Sequence, residues 1–207
     1  MKIEETEIFG WKHAFHGLRN PMNSWDKSDS NFDGVHLGIF TIGPNDNALA
    51  KKLIRAGSDE RKFLRFIHVQ CFITLPRYIW QELDTYKVAT TRLSCSTMHK
   101  LGYTDITQND FQDFFVLANT LEEINSLGQI YRKTKEIDLL RKMKQMLPEG
   151  FLQGAEYDMN YENCMCMYYK RKHHRMREWS GKDSQEDSIC KWIESLPMMN
   201  EWLNLYV

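Results

Sequence analysis

The stretch RFIHVQCFITLPRYIWQELDTYKVATTRLSCSTMHK, residues 65–100, predicts how the middle of this chain folds. Its first part alternates an apolar set, Ile67, Val69, Cys71 and Ile73, with a mixed set, Phe66, His68, Gln70 and Phe72. Successive side chains of a strand point to opposite faces of a sheet. Alternation with period two therefore predicts a strand with one buried face.

The second part of the stretch combines a short helix with a run of hydroxyl side chains. Pro76 fits the first turn of a helix, where its missing N–H costs nothing. The apolar side of this helix consists of Tyr78, Ile79, Leu83 and Tyr86. The hydroxyl residues that follow, with two cations among them, are Thr85, Thr90, Thr91, Ser94, Ser96 and Thr97. Such a segment fits either an ordinary polar loop or a site for an anionic, oxygen-rich ligand.

Composition predicts one folded domain, residues 1–207, and argues against several classes of function. The chain has 42% hydrophobic and 13% aromatic residues, enough for one sizeable core. Its net charge of -1 gives no overall attraction to nucleic acid or to a membrane surface. Apolar runs fall short of the roughly 20 residues of a membrane span, and the acidic N-terminal segment resembles no targeting signal. Five cysteines without a CxxC pair predict reduced thiols in a cytoplasmic protein.

The N-terminal part predicts two strands, a polar loop and a helix. A first strand is expected through Ile8, Phe9 and Trp11, and a second around residues 35–41. Residues 17–30 are rich in turn and capping residues, which predicts a loop that is either plain surface or a ligand lid. The segment GPND, residues 43–46, predicts a turn and cap for a helix over residues 48–57 that ends at Gly57.

Downstream, apolar residues recur at helical spacing and predict long helices with core faces. The first stripe is Phe111, Phe114, Phe115, Ala118, Leu121 and Ile124. The second, after an interruption at Gly128, is Ile137, Leu140, Met143 and Leu147. Pro148 and Gly150 precede another predicted helical run, Ala155 to Trp179. The last helix carries Ile189, Trp192, Ile193 and Leu196 and is stopped by Pro197.

Two clusters contain residue types that hold ligands. Cys164 and Cys166 precede His173 and His174. Residues two apart on a helix point to nearly opposite sides and cannot chelate one ion, so no metal site is predicted. The second cluster is KRKHHRMR, residues 170–177. It fits a solvated basic helix end favoured by the helix dipole, a phosphate or nucleotide site, or, as a weaker alternative, contact with a nucleic-acid backbone.

Taken together, these segments resemble one family, the flavin-dependent thymidylate synthases, in the same order along about three quarters of the chain. That family joins a strand, a proline-started helix and the motif RHRxxSxNExSxRY. Here Pro76 to Lys87 has the spacing from the family's proline to the second arginine of RHR. Farther on, Leu147-Pro148, Asn160 and Arg171 match the family's LP, asparagine and LR arginine with both intervals kept.

The resemblance implies ligands and site residues. The family binds FAD and dUMP and methylates the uracil reductively, with methylenetetrahydrofolate as carbon donor. For this chain it implies a substrate site for dUMP or a related pyrimidine nucleotide made of Glu82, Lys87, Thr90, Arg92, Ser94, Ser96 and Arg171. It implies a cofactor site made of Asn160, Ser58, which stands where the family's GHxSxxEH segment has histidine, and Arg19. In this arrangement Lys87 and Arg171 hold the anion.

The chain departs from the family motif at the residues that bind FAD and dUMP in that family. Thr85, Tyr86 and Lys87 stand in place of RHR, and Glu82 replaces a glutamine that touches the substrate. Such replacements remove charge-assisted contacts worth about 1.5–3 kcal/mol each. We therefore expect flavin binding to be weak or absent.

The resemblance also implies an architecture and leaves two functions open. It implies a mostly helical α/β (α+β) fold with a small sheet and long helices, assembled as a homotetramer with sites between subunits. The first function is that of an enzyme of pyrimidine metabolism, a divergent synthase or related nucleotide-modifying enzyme. The second is that of a catalytically inactive relative that captures a nucleotide without flavin chemistry.

Overall fold

The computed structural model describes residues 1–34, 40–114, 116–181 and 188–206. The strands are β1 (Lys2–Phe9), β2 (His68–Pro76), β3 (Thr91–Ser94) and β4 (Leu152–Asn160). The helices are α1 (Trp11–Gly17), α2 (Pro44–Ala56), α3 (Arg77–Leu83), α4 (Thr97–Tyr103), α5 (Ala118–Thr134), α6 (Ile137–Met146), α7 (Tyr161–Arg171), α8 (Arg177–Ser180), α9 (Ile189–Ser195) and α10 (Met199–Trp202). The described strands form a small sheet in the order β1-β2-β4-β3. The predicted mostly helical α/β fold class is confirmed.

Strand β2 has the two faces that its alternation predicts. The apolar set Ile67, Val69, Cys71 and Ile73 is at most 1% exposed, whereas Phe66 on the mixed face is 60% exposed. Pro76 is the last residue of β2 and the N-cap of α3, with extended backbone. The helix predicted after it is therefore present, but the proline lies just before its first turn.

The segment from Ala155 onward is a strand and not the beginning of a helix, so this part of the prediction was wrong. Ala155, Tyr157 and Met159 are buried and alternate with polar residues, the period of a strand with one covered face. The predicted helix exists only from Tyr161, where α7 begins. Short apolar runs fit a helix or a strand equally well, and hydrogen bonding to β2 decides for the strand.

The chain divides into two compact units. Unit 1 contains Met1–Lys2, Phe72–Thr85 and Arg92–Glu156, and unit 2 contains Ile3–Cys71, Tyr86–Thr91 and Tyr157–Val207. In unit 1, helices α4, α5 and α6 pack on one apolar core. Its buried residues are Leu101, Ile106, Phe111, Ile124, Leu140, Met143, Leu147 and Phe151. That residues 1–207 fold as a single domain stays a prediction.

Aromatic side chains form much of the core of unit 2. The ring of Trp11 lies edge-on to that of Tyr161, with 5.1 Å between centroids, and 6.1 Å from that of Trp202. Trp11 was predicted in the first strand, and this part of the prediction was wrong. It begins α1, because Gly10 turns the chain after β1 with φ of 93°. A Cβ on Gly10 would lie 1.8 Å from the carbonyl oxygen of Phe66, so only glycine fits this turn.

Helix α5 begins and ends at residues other than those predicted. It starts at Ala118, so Phe111 precedes it, and it runs through Gly128 to Thr134. Gly128 allows close packing, since a Cβ there would lie 3.1 Å from Cε of Met143. The chain leaves the helix at Lys135, which has a left-handed backbone conformation. Phe115 of the predicted stripe lies outside the described residues.

The remaining predicted elements are present with small changes of boundary. Residues 17–30 form a loop with two short 3₁₀ turns, as the turn residues predict. Helix α2 starts at Pro44, earlier than predicted, and Gly57 ends it. Helix α9 buries the predicted face of Ile189 and Ile193. Residues 35–39 of the predicted second strand lie outside the described residues. Within the described ranges, no helix is both long and apolar enough to cross a membrane.

Candidate anion-binding site

A tight turn at residues 86–90, which we call the 86–90 turn, presents Lys87 to solvent in unit 2. The hydroxyl of Thr90 donates to the carbonyl of Tyr86 across 2.6 Å and closes the turn. The side-chain amide of Asn163 on α7 donates to the carbonyl of Val88 across 2.9 Å. Ala89 has φ of 55°, a left-handed conformation that non-glycine residues rarely adopt. The turn is thus held in a costly conformation by contacts on both sides.

Arg171, the last residue of α7, reaches the same turn. Its Nε donates to the hydroxyl of Tyr86 across 3.0 Å. Its guanidinium carbon lies 4.8 Å from the ring centroid of Trp179 and 5.7 Å from that of Tyr86. Guanidinium groups stack on aromatic faces through cation–π attraction, which orients the planar fork. The structure therefore brings Arg171 to Tyr86, the residue next to Lys87.

His174 completes this group, which we call the Arg171 cluster: Tyr86, Arg171, His174 and Trp179. Nη1 of Arg171 lies 2.8 Å from Nε2 of His174. The rings of His174 and Trp179 meet nearly edge to face, with 6.3 Å between centroids. Trp179 is fully buried and forms a rigid wall behind the two polar side chains.

The other cations of residues 170–177 are held less firmly than Arg171. Nζ of Lys170 lies 5.9 Å from the ring of Tyr86, and Nζ of Lys172 lies 5.3 Å from that of Tyr169. Arg175 and His173 are exposed. The basic cluster therefore combines one oriented guanidinium with several cations nearer to solvent.

Asn160, implied as a cofactor residue, is the N-cap of α7. Its side chain accepts the backbone N–H of Asn163, and the side chain of Asn163 accepts the N–H of Asn160 in return. Asn160 is only 3% exposed. Both polar contacts serve the start of the helix, whose first N–H groups lack partners within the helix.

Arg19 is buried in an ion pair inside unit 2. Its Nη2 and Nε both lie 2.6 Å from Oδ1 of Asp46, and the two side chains are 5% and 0% exposed. Ser28 donates to the other carboxylate oxygen. Burial acts to raise the pKa of Asp46, but hydrogen bonds from Ser30, Ser28 and Arg19 together lower it below its usual value. This pair anchors the loop of residues 17–30 to α2.

Ser58, the second implied cofactor residue, also has a partner within unit 2. Nη2 of Arg65 donates to its hydroxyl across 2.9 Å. Arg65 also pairs with Glu162 of α7, the carboxylate that Arg61 contacts at 3.2 Å. The serine thus belongs to a network that ties the segment before β2 to α7.

Arg92, an implied substrate residue, lies in unit 1 and is bound there on three sides. Its Nη1 pairs with Asp84 at 2.7 Å, and its Nη2 donates to the side chain of Gln153 across 3.1 Å. Its guanidinium carbon lies 3.8 Å above the ring of Trp80. The arginine therefore ties β3 to α3 and to β4.

The remaining implied substrate residues also lie in unit 1. Ser96 is the N-cap of α4 and accepts the N–H of His99 across 3.3 Å. Ser94 is the exposed last residue of β3, and Glu82 is half-buried on α3, where its carbonyl accepts the hydroxyl of Thr85.

Sequence reasoning missed the residues that orient the candidate site. Trp179 and Asn163 were not considered as site residues. Tyr86 was predicted on the apolar side of a helix, which in the structure ends before it at Leu83, and was otherwise noted only as a departure from RHR. A signal was present for Tyr86 and Trp179. Each is an aromatic residue beside a polar segment that contains cations, and a ring in that position can contact a cation. The capping pair Asn160-x-x-Asn163 was also readable as a helix start.

The described residues contain no group of three or more His, Cys, Asp or Glu side chains placed to hold a metal ion. Cys164 is buried in the core on α7, and burial raises the pKa of its thiol. A protonated, buried thiol is a poor metal ligand.

The small sheet, the α3 that follows its central strand and the long helices define a class of fold, that of the flavin-dependent thymidylate synthases. A crystal structure of ThyX from Helicobacter pylori, complexed with FAD and dUMP, matches 100% of this chain and 98% of its own, with TM-score 0.68 and 16% identity. A second structure of that enzyme with the same ligands matches 98% of this chain and 96% of its own, with TM-score 0.68 and 15% identity. No family model and no curated protein matches the sequence. The likeness shows the fold.

Proposed function

We propose that this chain is a divergent relative of the flavin-dependent thymidylate synthases that binds a pyrimidine nucleotide, such as dUMP, through its phosphate. The observation that carries this proposal is the contact of Arg171 with Tyr86, which joins the end of α7 to the turn that presents Lys87. The solved structures with this fold, complexed with FAD and dUMP, support the choice of nucleotide.

The chemistry of the Arg171 cluster supports a phosphate ligand. A guanidinium presents N–H donors in a fork that matches phosphate oxygens, and an oriented fork loses less entropy on binding. Aromatic contacts on Tyr86 and Trp179 provide that orientation. Exposed cations around it, Lys87 among them, raise the local concentration of anions and speed their encounter.

The contacts of the three implied cofactor residues favour nucleotide capture without flavin chemistry. Arg19 pairs with buried Asp46, Ser58 accepts from Arg65, and Asn160 caps α7. These side chains do not fit a flavin site, since FAD would have to break contacts that the fold uses. We therefore derive no chemical step through FAD.

A flavin-dependent enzyme is the second candidate, favoured by the match of fold along the whole chain to a synthase complexed with FAD. Under either function we propose a homotetramer in the cytoplasm. The enzyme would act in pyrimidine metabolism as a methyltransferase on dUMP or as a related nucleotide-modifying enzyme.

Calorimetric titration tests whether the protein binds the nucleotide and whether the phosphate is the group that it recognises. We expect dUMP to bind, deoxyuridine to bind much more weakly because it lacks the phosphate, and inorganic phosphate to compete with dUMP. Equal affinity for dUMP and deoxyuridine would exclude a phosphate site. Absence of binding by all three would remove the nucleotide proposal.

A further inference from the structure

The side-chain amide of Asn163 makes two contacts that need opposite ends of the amide. Its Oδ1 accepts the backbone N–H of Asn160 across 3.2 Å, and its Nδ2 donates to the carbonyl of Val88 across 2.9 Å. Exchanging the two amide atoms would face a donor with a donor and an acceptor with an acceptor. The two contacts therefore fix the orientation of this amide, and with it the peptide group between Val88 and Ala89.

Helix α7 holds the 86–90 turn on both sides of Lys87. Tyr86 precedes Lys87 in the chain, and its hydroxyl accepts from Arg171, the last residue of α7. Val88 follows Lys87, and its carbonyl accepts from Asn163 in the first turn of α7. Both chain neighbours of Lys87 are thus bonded to one helix. The backbone that carries this ammonium has little freedom to move.

The conformation of the turn needs such support. Ala89 has φ of 55°, where the Cβ of a residue other than glycine crowds its own backbone. Val88 is 82% exposed, so burial of its side chain contributes little to holding the turn. The hydrogen bonds of Asn163 to Val88 and of Thr90 to Tyr86 offset the cost at Ala89.

We propose that Asn163 is a positioning residue of the nucleotide site, which acts through Lys87 by holding the 86–90 turn in its binding conformation before the nucleotide is bound. This inference rests on the proposed function. A ligand that meets an ordered turn does not have to order it, and the cost of ordering is otherwise subtracted from the binding free energy. Asn163 itself does not touch the nucleotide.

Two substitutions of Asn163 remove the donor to Val88. Asn163→Asp keeps an oxygen for the N–H of Asn160 and faces the carbonyl of Val88 with a second acceptor. We expect it to weaken dUMP binding about threefold, the size of one modest hydrogen bond, and no more than Lys87→Ala does. Asn163→Ala removes the same donor without adding charge and should also weaken binding. Tyr168→Phe is the matched control, since it removes a hydrogen bond from α7 to Glu194 and should bind dUMP as the unchanged protein does.

A double-mutant cycle tests whether Asn163 acts through Lys87. In the Lys87→Ala background, both substitutions of Asn163 should cause no further loss of dUMP affinity, because the ammonium that they misplace is absent. A general effect on the fold, or the added charge of aspartate, would cause the same loss in both backgrounds. Melting temperatures of all variants verify that they fold.

Backbone order in the unchanged protein tests the same inference without relying on a variant. Nitrogen relaxation should give the amides of residues 87–89 order parameters near about 0.85 in the absence of dUMP, the value of a rigid backbone. Values below about 0.6 would mean that the turn is flexible before binding and would refute the role of Asn163. In Asn163→Asp we expect these order parameters to fall.

The outcomes separate this inference from the proposed function. If Arg171→Ala and Lys87→Ala lose dUMP affinity while both Asn163 variants retain it, the role of Asn163 is refuted and the phosphate site remains. Equal losses from Asn163→Asp with and without Lys87 refute it as well. If Arg171→Ala and Lys87→Ala bind dUMP as tightly as the unchanged protein does, both the site and the role of Asn163 are refuted.

Discussion

Arg171 donates from Nε to the hydroxyl of Tyr86 across 3.0 Å, although 85 residues separate the two along the chain. The tyrosine stands where the resembled motif has its histidine, and it contacts the arginine that matches the LR arginine of the same family. Tyr86 was interpreted as the loss of a ligand-binding group. In the structure its hydroxyl and its ring instead orient the guanidinium of Arg171.

Arg171→Ala should weaken dUMP binding by about 1.5–3 kcal/mol, the range for hydrogen bonds to charged groups. Lys87→Ala should weaken it less, because an ammonium holds phosphate as a point charge without a bidentate fork. Calorimetric titration at two salt concentrations measures both effects. Lys172→Ala is the matched control, since this residue follows Arg171 directly and lies against Tyr169 instead of Tyr86. Equal, small and salt-sensitive losses in all three variants would mean that the basic cluster is solvated surface.

The protein should purify without flavin and should bind added FAD weakly. The reason is that Arg19, Ser58 and Asn160 have partners within the fold, and that Thr85, Tyr86 and Lys87 replace RHR. Visible absorbance of the purified protein, before and after incubation with FAD and gel filtration, measures this. A stoichiometric yellow complex that oxidises NADPH when dUMP is added would establish the enzyme instead.

Breaking the pair of Arg19 and Asp46 should cost about 3–5 kcal/mol of folding stability, because one buried charge would lose its partner. Denaturant unfolding of Arg19→Ala measures this loss. Exposed Arg175→Ala is the control and should change stability by less than about 0.5 kcal/mol.

The same pair predicts how stability depends on pH. The pKa of Asp46 is lower in the folded chain than the value of about 3.9 in unfolded chains. Between the two values the unfolded state binds more protons, so stability rises with pH there. The contribution of the pair is complete well above pH of about 4 and is lost as the pH falls through the folded pKa. Asp46→Asn should flatten this part of the stability profile, and an unchanged profile would contradict the assignment.

Asn160→Ala should destabilise the protein by about 1 kcal/mol through loss of the cap of α7. Asn160→Asp should retain most of the stability, because aspartate also accepts the N–H of the third helical residue. Thermal unfolding of the two variants compares these effects. If alanine leaves the stability unchanged while nucleotide or flavin binding is lost, the residue acts on a ligand and not on the helix.

Light scattering coupled to size-exclusion chromatography should show a tetramer of the 24.6 kDa chain. Exposed apolar side chains along unit 1 favour assembly, since Leu117, Ile130 and Ile137 are 78%, 49% and 62% exposed. Ile137→Lys should shift the protein toward smaller species, with Lys142→Glu on the same helix as the control for a change of charge. A monomer at micromolar concentration would contradict the assembly.

The sequence by itself determined those elements whose local pattern has a single physical reading. The two-faced strand β2, the proline-preceded α3 and the apolar face of α9 follow from period and turn chemistry over a few residues. The order and spacing of these segments resemble those of the flavin-dependent thymidylate synthases, and that resemblance implied the fold class that the structure has.

Only the tertiary structure decided β4 and the partners of Arg171. Residues 155–160 fit a helix or a strand locally, and their pairing with β2 selected the strand. The contacts of Arg171 with Tyr86 and Trp179 join residues from three separate segments of the chain. Such contacts arise when packing brings distant segments together and gives each buried polar group a partner, which no local pattern encodes.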